Sequence, residues 1–277
     1  MSVPKTYVFG AGKVGRALTR ALRRAGEGVT SRSARRGWPS RRLDAGLVVL
    51  AVRDPQIGPA AEALLASGVL PPDASVVHCA GSRGPEALAS LADAGVAVAQ
   101  MHPLLAFAST SRPPELRGAT LHLRGDPLAV RRARALGKRL GMRPTTLPGL
   151  SLELYHAAAA LLANGAVGLA AGSARLLGEG GCPPDEVPAL LGPLLRSVAD
   201  NLEQLGLPEA LTGPVRRGDA AAVVAHRARL ARQASELVPL YDAAVRAQLA
   251  LARALAEAAP EDFDACEGAL EGPSRRR

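Results

Sequence analysis

The chain has 277 residues, more than one ordinary hydrophobic core organises, so two domains are expected. Its net charge of +9 comes almost wholly from arginine, the lysines being Lys5, Lys13 and Lys138, and Phe, Tyr and Trp make up 3% of the residues. Basic side chains without interleaved stacking rings argue against nucleic acid and leave small anionic molecules as the expected partners.

Residues 6–9 (TYVF) form a β-prone run ending at Gly10, and 13–25 (KVGRALTRALRRA) has the apolar spacing of an amphipathic helix. Further β-prone runs lie at 47–52, 75–79, 96–101 and 120–123, with helical stretches such as 59–66 and 85–94 between them. This alternation predicts an α/β domain, a doubly wound and mostly parallel sheet with helices on both faces. Asp54-Pro55 and Asp126-Pro127 each place an N-capping carboxylate before a proline at the first helical position. After Leu147-Pro148-Gly149 the alternation stops, and 152–177, 186–205, 220–233 and 236–258 read as helices separated by Gly/Pro breaks. The expected organisation is an α/β domain over 1–150, an all-α domain over 151–262 and a disordered tail over 263–277, where apolar periodicity fades into Ser-Arg-Arg-Arg.

The uncharged run Ala157 to Ala174 contains Asn164 and is mostly Ala and Gly, so burial between helices explains it better than a bilayer does. Cys79, Cys182 and Cys266 show no metal spacing and suit a reducing, cytoplasmic setting, and the first residues do not read as a signal peptide.

Gly10-Ala11-Gly12-Lys13-Val14-Gly15 is a G-x-G-x-x-G directly after the first strand and at the head of the first helix, the context that makes the motif specific. Gly10 permits a tight turn, Gly12 lets backbone approach a pyrophosphate, Gly15 lets helix pack on strand, and the helix N-terminus offers free N–H groups. At the end of the second strand, expected near Thr30, an NAD site would carry a carboxylate for the ribose diol; Ser31-Arg32-Ser33 stands there instead. Arg32 is the expected partner of a 2′-phosphate, so NADP is the expected cofactor, with Arg35, Arg36 and Trp38 as further candidates. Val52-Arg53 should flank the adenosine side and Gly81-Ser82 the nicotinamide side, although Ser82 suits equally well the capping of a helix near Pro85.

A reductase also needs a proton. His156 opens the first helix after the domain boundary and Asn164 follows about 80° around it, so His156 is the candidate acid and Asn164 the candidate holder of substrate oxygen. His102, before Pro103 at a strand's carboxyl end, is a candidate substrate contact or a turn residue. Asp219 is a candidate substrate contact or the cap of the helix that follows it.

The stretches VFGAGKVGRAL, LVVLAVRD, VVHCAGS, His102-Pro103, YHAAAALLANGAVGL and LTGPVRRGDAAAVVAH resemble the Rossmann-plus-helical proteins of domain of unknown function 2520, which are similar to ketopantoate reductase and, more loosely, to the 6-phosphogluconate and β-hydroxyacid dehydrogenases. The resemblance implies an NADP-type cofactor, a helical C-terminal domain and a homodimer through it. Ketopantoate reductase uses a lysine on the first interdomain helix as acid; this chain has no lysine after Lys138, and His156 occupies about that region. Three functions follow as expectations: NADPH reduction of a small 2-oxo acid, NADPH reduction of an imine or imino acid, which needs a weaker acid, and non-catalytic NADP sensing.

Overall fold

The computed structural model describes residues 5–271. The chain divides into two compact units between Ala163 and Asn164. The first unit holds strands β1 (Thr6–Phe9), β2 (Val29–Arg32), β3 (Leu47–Leu50), β4 (Ser75–His78), β5 (Val98–Pro103), β6 (Thr120–Gly125) and β7 (Arg143–Thr145) in one sheet of order β2-β1-β3-β4-β5-β6-β7. The first five run parallel, β6 is antiparallel to β5, and β7 is parallel to β6.

β1, β3 and β4 are buried at every position, which accounts for the mainly apolar run of each; Thr6, Ser75 and His78 are their buried polar residues. Side chains alternate between faces. Val8, Val49 and Val77 pack with Leu18 and Leu22 of helix α1 (Lys13–Arg24) and with Ala133 and Leu136 of α4 (Pro127–Arg139). Phe9, Leu50 and Val76 pack on the other face with Ile57 and Leu64 of α2 (Ile57–Ser67) and Leu91 of α3 (Ala89–Asp93). The sheet is therefore covered on both sides, the doubly wound α/β fold that the alternation implied.

Local chemistry departs from expectation at three places. Asp126 caps α4 by accepting the Leu128 N–H at 2.7 Å, but Asp54 caps nothing: Arg53 holds the N-cap position of the short 3₁₀ turn Asp54–Gln56, and the Asp54 carboxylate accepts a hydrogen bond from Ser82. Ser82 consequently does not cap the turn at Pro85, whose N-cap residue is Gly84. β7 carries Pro144, which only an edge strand tolerates, so its sequence had no strand signature.

Helix α5 (Leu152–Glu179) begins in the first unit and continues into the second. There follow α6 (Val187–Leu205), α7 (Ala220–Gln233), α8 (Val238–Leu255) and α9 (Pro260–Gly268). Val223, Val245, Leu249 and Phe263 form the core shared by α7, α8 and α9. α9 overturns the expectation of a disordered tail from residue 263: Pro260 sits in the first turn, the Asp262 carboxylate accepts the Ala259 N–H, and Phe263 and Cys266 are buried on one face of the helix, with Leu270 buried just past its end. The rest of that expected tail, 272–277, lies outside the described residues.

The expected burial of 157–174 between helices is also not found within one chain. α5 buries only Gly172 and α6 no residue, with Leu161 at 78% and Leu194 at 61% exposure. By length and composition α5 could cross a membrane.

Candidate active site

The strand order reverses between β1 and β3, and a crevice at such a switch point is where doubly wound sheets bind ligands. Here a cavity of about 610 Å³ is lined by Gly10, Ala11 and Gly12 after β1, by Ser33 and Arg35 after β2, and by Val52 and Arg53 after β3. Gly10 has φ +126°, and a Cβ there would collide with the Ala51 carbonyl; one on Gly15 would collide with the Gly10 carbonyl. The space that a Gly12 Cβ would fill is open. Gly12 is also the N-cap of α1, has no side chain to cap the helix, and no acidic residue stands in the first turn. An uncapped 12-residue helix start behind bare backbone fits a dinucleotide pyrophosphate. Lys13 is exposed and Val14 packs against the sheet core, so neither lines this cavity.

At the end of β2 the arginines differ in their surroundings. The Arg32 guanidinium donates from Nε to the Gly37 carbonyl at 2.7 Å and from its amino end to the Arg36 carbonyl at 3.0 Å. It thus clamps the 3₁₀ turn Ala34–Arg36, which Gly37 closes at φ +59°, and borders an adjoining cavity with Ser31 and Arg20. The turn it holds presents Ser33 and Arg35 to the main cavity. Arg32 was expected to partner a 2′-phosphate; here its Nε and one amino group are engaged by carbonyls that the turn makes available. Trp38 stacks on Phe9 with ring centroids 3.8 Å apart and belongs to the core.

The titratable groups converge at the ends of β4 and β5. Gly81 is buried in the loop after β4, and the position of a Cβ on it would be 2.7 Å from His102 Nε2 and 3.1 Å from His156 Nδ1. Two imidazoles therefore face one small gap above a glycine. His102 Nδ1 is 3.0 Å from the Tyr155 hydroxyl, with the rings edge to face. Burial, then the neighbouring His156 and His122, hold the His102 imidazole down at about 4, so it is neutral at pH 7. Burial pushes the Tyr155 phenol upward. It also pushes the Cys79 thiol up to about 12, which leaves that residue inert as a nucleophile. Ser82 donates to Asp54 at 2.9 Å and so ties the loops after β4 and β3 together.

His102 lies within β5 rather than in a turn, because the strand runs on through Pro103. Asn164 is exposed on α5 in the second unit. Asp219, also in that unit, accepts the Ala222 N–H at 3.0 Å and caps α7, the plainer of its two expected uses. Tyr155 was not anticipated, because a phenol does not titrate near neutrality as an imidazole does. Its position, one residue before His156 at the start of the same helix, was the available signal.

Residues 119–248 match the model of the family described as domain of unknown function DUF2520. The chain is similar in structure to a Bacteroides fragilis protein described provisionally as an NADP oxidoreductase (21% identity, TM-score 0.66, covering 88% of this chain and 97% of that one). A Thermotoga maritima protein matches at 24% identity and TM-score 0.65, over 90% and 98% of the two chains. Pyrroline carboxylate reductase from Plasmodium falciparum, solved with NADP bound, matches at 12% identity and TM-score 0.60, over 92% and 99%. These likenesses establish the fold. No curated protein matches by sequence.

Proposed function

We propose that the chain is an NADPH-dependent reductase acting on a small C=N substrate of the imine or cyclic imino acid kind. The observation that carries this is that His102 and His156 converge over Gly81, with Tyr155 on the other ring nitrogen of His102, at the carboxyl edge of the same sheet whose Gly10–Gly12 turn leaves a phosphate cradle open. The fold shared with a pyrroline carboxylate reductase supports it.

The absence of a carboxylate at the end of β2, with Ser33 and Arg35 in the cavity, suits a 2′-phosphate. A charge-assisted bond of that kind is worth roughly 1.5–3 kcal/mol, a preference of about tenfold to hundredfold over NADH. When bound, the nicotinamide supplies the hydride. The chain's own residues orient the acceptor and handle the proton. His102 is neutral and Tyr155 is a weakened acid, so the pair is better suited to hydrogen-bond a substrate that brings its own proton, as an imine does, than to protonate a ketone.

The 2-oxo-acid reading is favoured by one observation, that exposed His156 also reaches the Gly81 gap and is positioned to give a proton there. NADPH absorbance followed with a cyclic imino acid and with ketopantoate in parallel tests both. Consumption with the imino acid supports the proposal, consumption only with ketopantoate transfers the proton to His156, and binding without consumption of either leaves an NADP sensor.

We also propose that two copies pair through α5 and α6. From Leu154 to Ala174 no charged residue occurs, and α5 and α6 each carry exposed leucines, such as Leu161 and Leu194, more large apolar side chains than a monomer usually leaves bare. A dimer by sedimentation, dissociated by Leu161→Glu, is expected. A monomer that binds lipid vesicles would overturn the pairing.

A further inference from the structure

The loop after β4, which carries Gly81, is held from beneath by side chains rather than by a strand or helix of its own. His78, Gln100 and His122 are almost wholly buried, at 0%, 0% and 1% exposure, on neighbouring strands of the sheet. In register His78 lies opposite Gln100, and His102 lies opposite His122. Gln100 Nε2 donates to the Ala80 carbonyl at 2.8 Å and to the Gly81 carbonyl at 3.2 Å. His78 Nδ1 accepts the Ala80 N–H at 3.2 Å, so its other nitrogen bears the hydrogen and donates to the Gly84 carbonyl at 2.9 Å.

These bonds leave little choice of protonation. Two carbonyl acceptors require the amide nitrogen of Gln100 to face the loop, so Oε1 faces His122 Nδ1, 3.1 Å away. His122 must then carry its hydrogen on Nδ1, and its Nε2 is a buried acceptor without a protein partner. A rotated Gln100 would set its oxygen against two carbonyl oxygens.

We propose that Gln100 is a positioning residue that sets the gap where His102 and His156 meet, with His122 fixing the orientation of its amide. The side chain acts through the Ala80 and Gly81 carbonyls and touches none of the reacting groups. This function for the gap rests on the reductase reading; the positioning itself does not.

The test uses the full-length protein with Gln100→Leu and Gln100→Glu, read by NMR and by NADPH consumption. In the wild type the His122 Nδ1–H proton should be visible and slow to exchange. In Gln100→Leu it should be lost, the Gly81 and Ser82 amide signals should move, and kcat should fall about tenfold to hundredfold with the KM for NADPH within about twofold. Gln100→Glu keeps the shape and restores function only while its carboxyl is protonated, so its activity should fall on the alkaline side where the wild type holds; the titratable and charged neighbours across the sheet are His78, His122 and, opposite it in register, Arg124. A purely structural role would not move that pH profile. Unchanged amide signals and a retained His122 proton in Gln100→Leu, or coincident pH profiles, would overturn the proposal. If the wild type turns over no substrate, the reductase reading fails, while the NMR signals still decide the positioning.

Discussion

Replacing Gly81 by alanine adds one methyl group at the point where the account places the chemistry. That Cβ would be 2.7 Å from His102 Nε2, 2.8 Å from its Cε1 and 3.1 Å from His156 Nδ1, where ordinary contacts begin near 3.4 Å. His156 is exposed and can swing away at small cost. His102 cannot retreat so easily, because Tyr155 packs edge-on against it and shares a hydrogen bond of 3.0 Å. The ring must shift by about 0.7 Å or more, which costs about 1–3 kcal/mol of overpacking and loses a bond worth about 1 kcal/mol. Misplacement on that scale lowers turnover by about a hundredfold. Urea melts of wild type and Gly81→Ala should therefore differ by about 2–4 kcal/mol, and kcat for NADPH consumption should fall by about two orders of magnitude, while binding of 2′,5′-ADP, which probes only the distant end of the cleft, stays within about twofold. Wild-type kcat in a variant that folds would refute the convergence of the two histidines on the reacting centre.

Arg35→Ala should weaken 2′,5′-ADP by about tenfold to hundredfold and leave AMP unchanged in a calorimetric titration. Tyr155→Phe, which removes the hydroxyl that meets His102, should lower kcat by about 10²-fold with little change in the KM for NADPH, measured in the same absorbance assay. For His102 the folded imidazole is held at about 4 against an ordinary 6.5, so the unfolded chain takes up the proton first as pH falls. Stability should accordingly be level above pH 6.5 and decline toward pH 4 by up to about 3 kcal/mol, and His102→Gln should flatten that decline in urea melts. His78 and His122, also lowered by burial, contribute with the same sign, so some slope should remain.

What could be read from the sequence was what depends on neighbours along the chain. The steric demands of Gly10, Gly12 and Gly15 are local, and so is the alternation of apolar strands with amphipathic helices; both led to the observed sheet and cradle. Arg32 illustrates the opposite case, since the carbonyls of Arg36 and Gly37 that occupy it exist as acceptors only once the turn has curled back. The polar cluster beneath the Gly81 loop depends on β5 and β6 pairing antiparallel with His102 against His122, a register between segments that neither strand encodes alone. A hint was present: Gln100 and His102 alternate with Ala99 and Met101, and His122 sits between Leu121 and Leu123, polar residues on one face of otherwise apolar strands. α9 was missed because its buried stripe, Phe263 and Cys266, is short and surrounded by acidic residues.

The central claim is that a hydride passes from NADPH to a substrate held over Gly81. NADPH deuterated at the transferring position of the nicotinamide, incubated with the protein and a cyclic imino acid, tests it by the mass of the amine formed. The wild type should make product one mass unit heavier, nearly absent with Gly81→Ala; tight binding of NADPH with no deuterium in any product would contradict hydride transfer at this site.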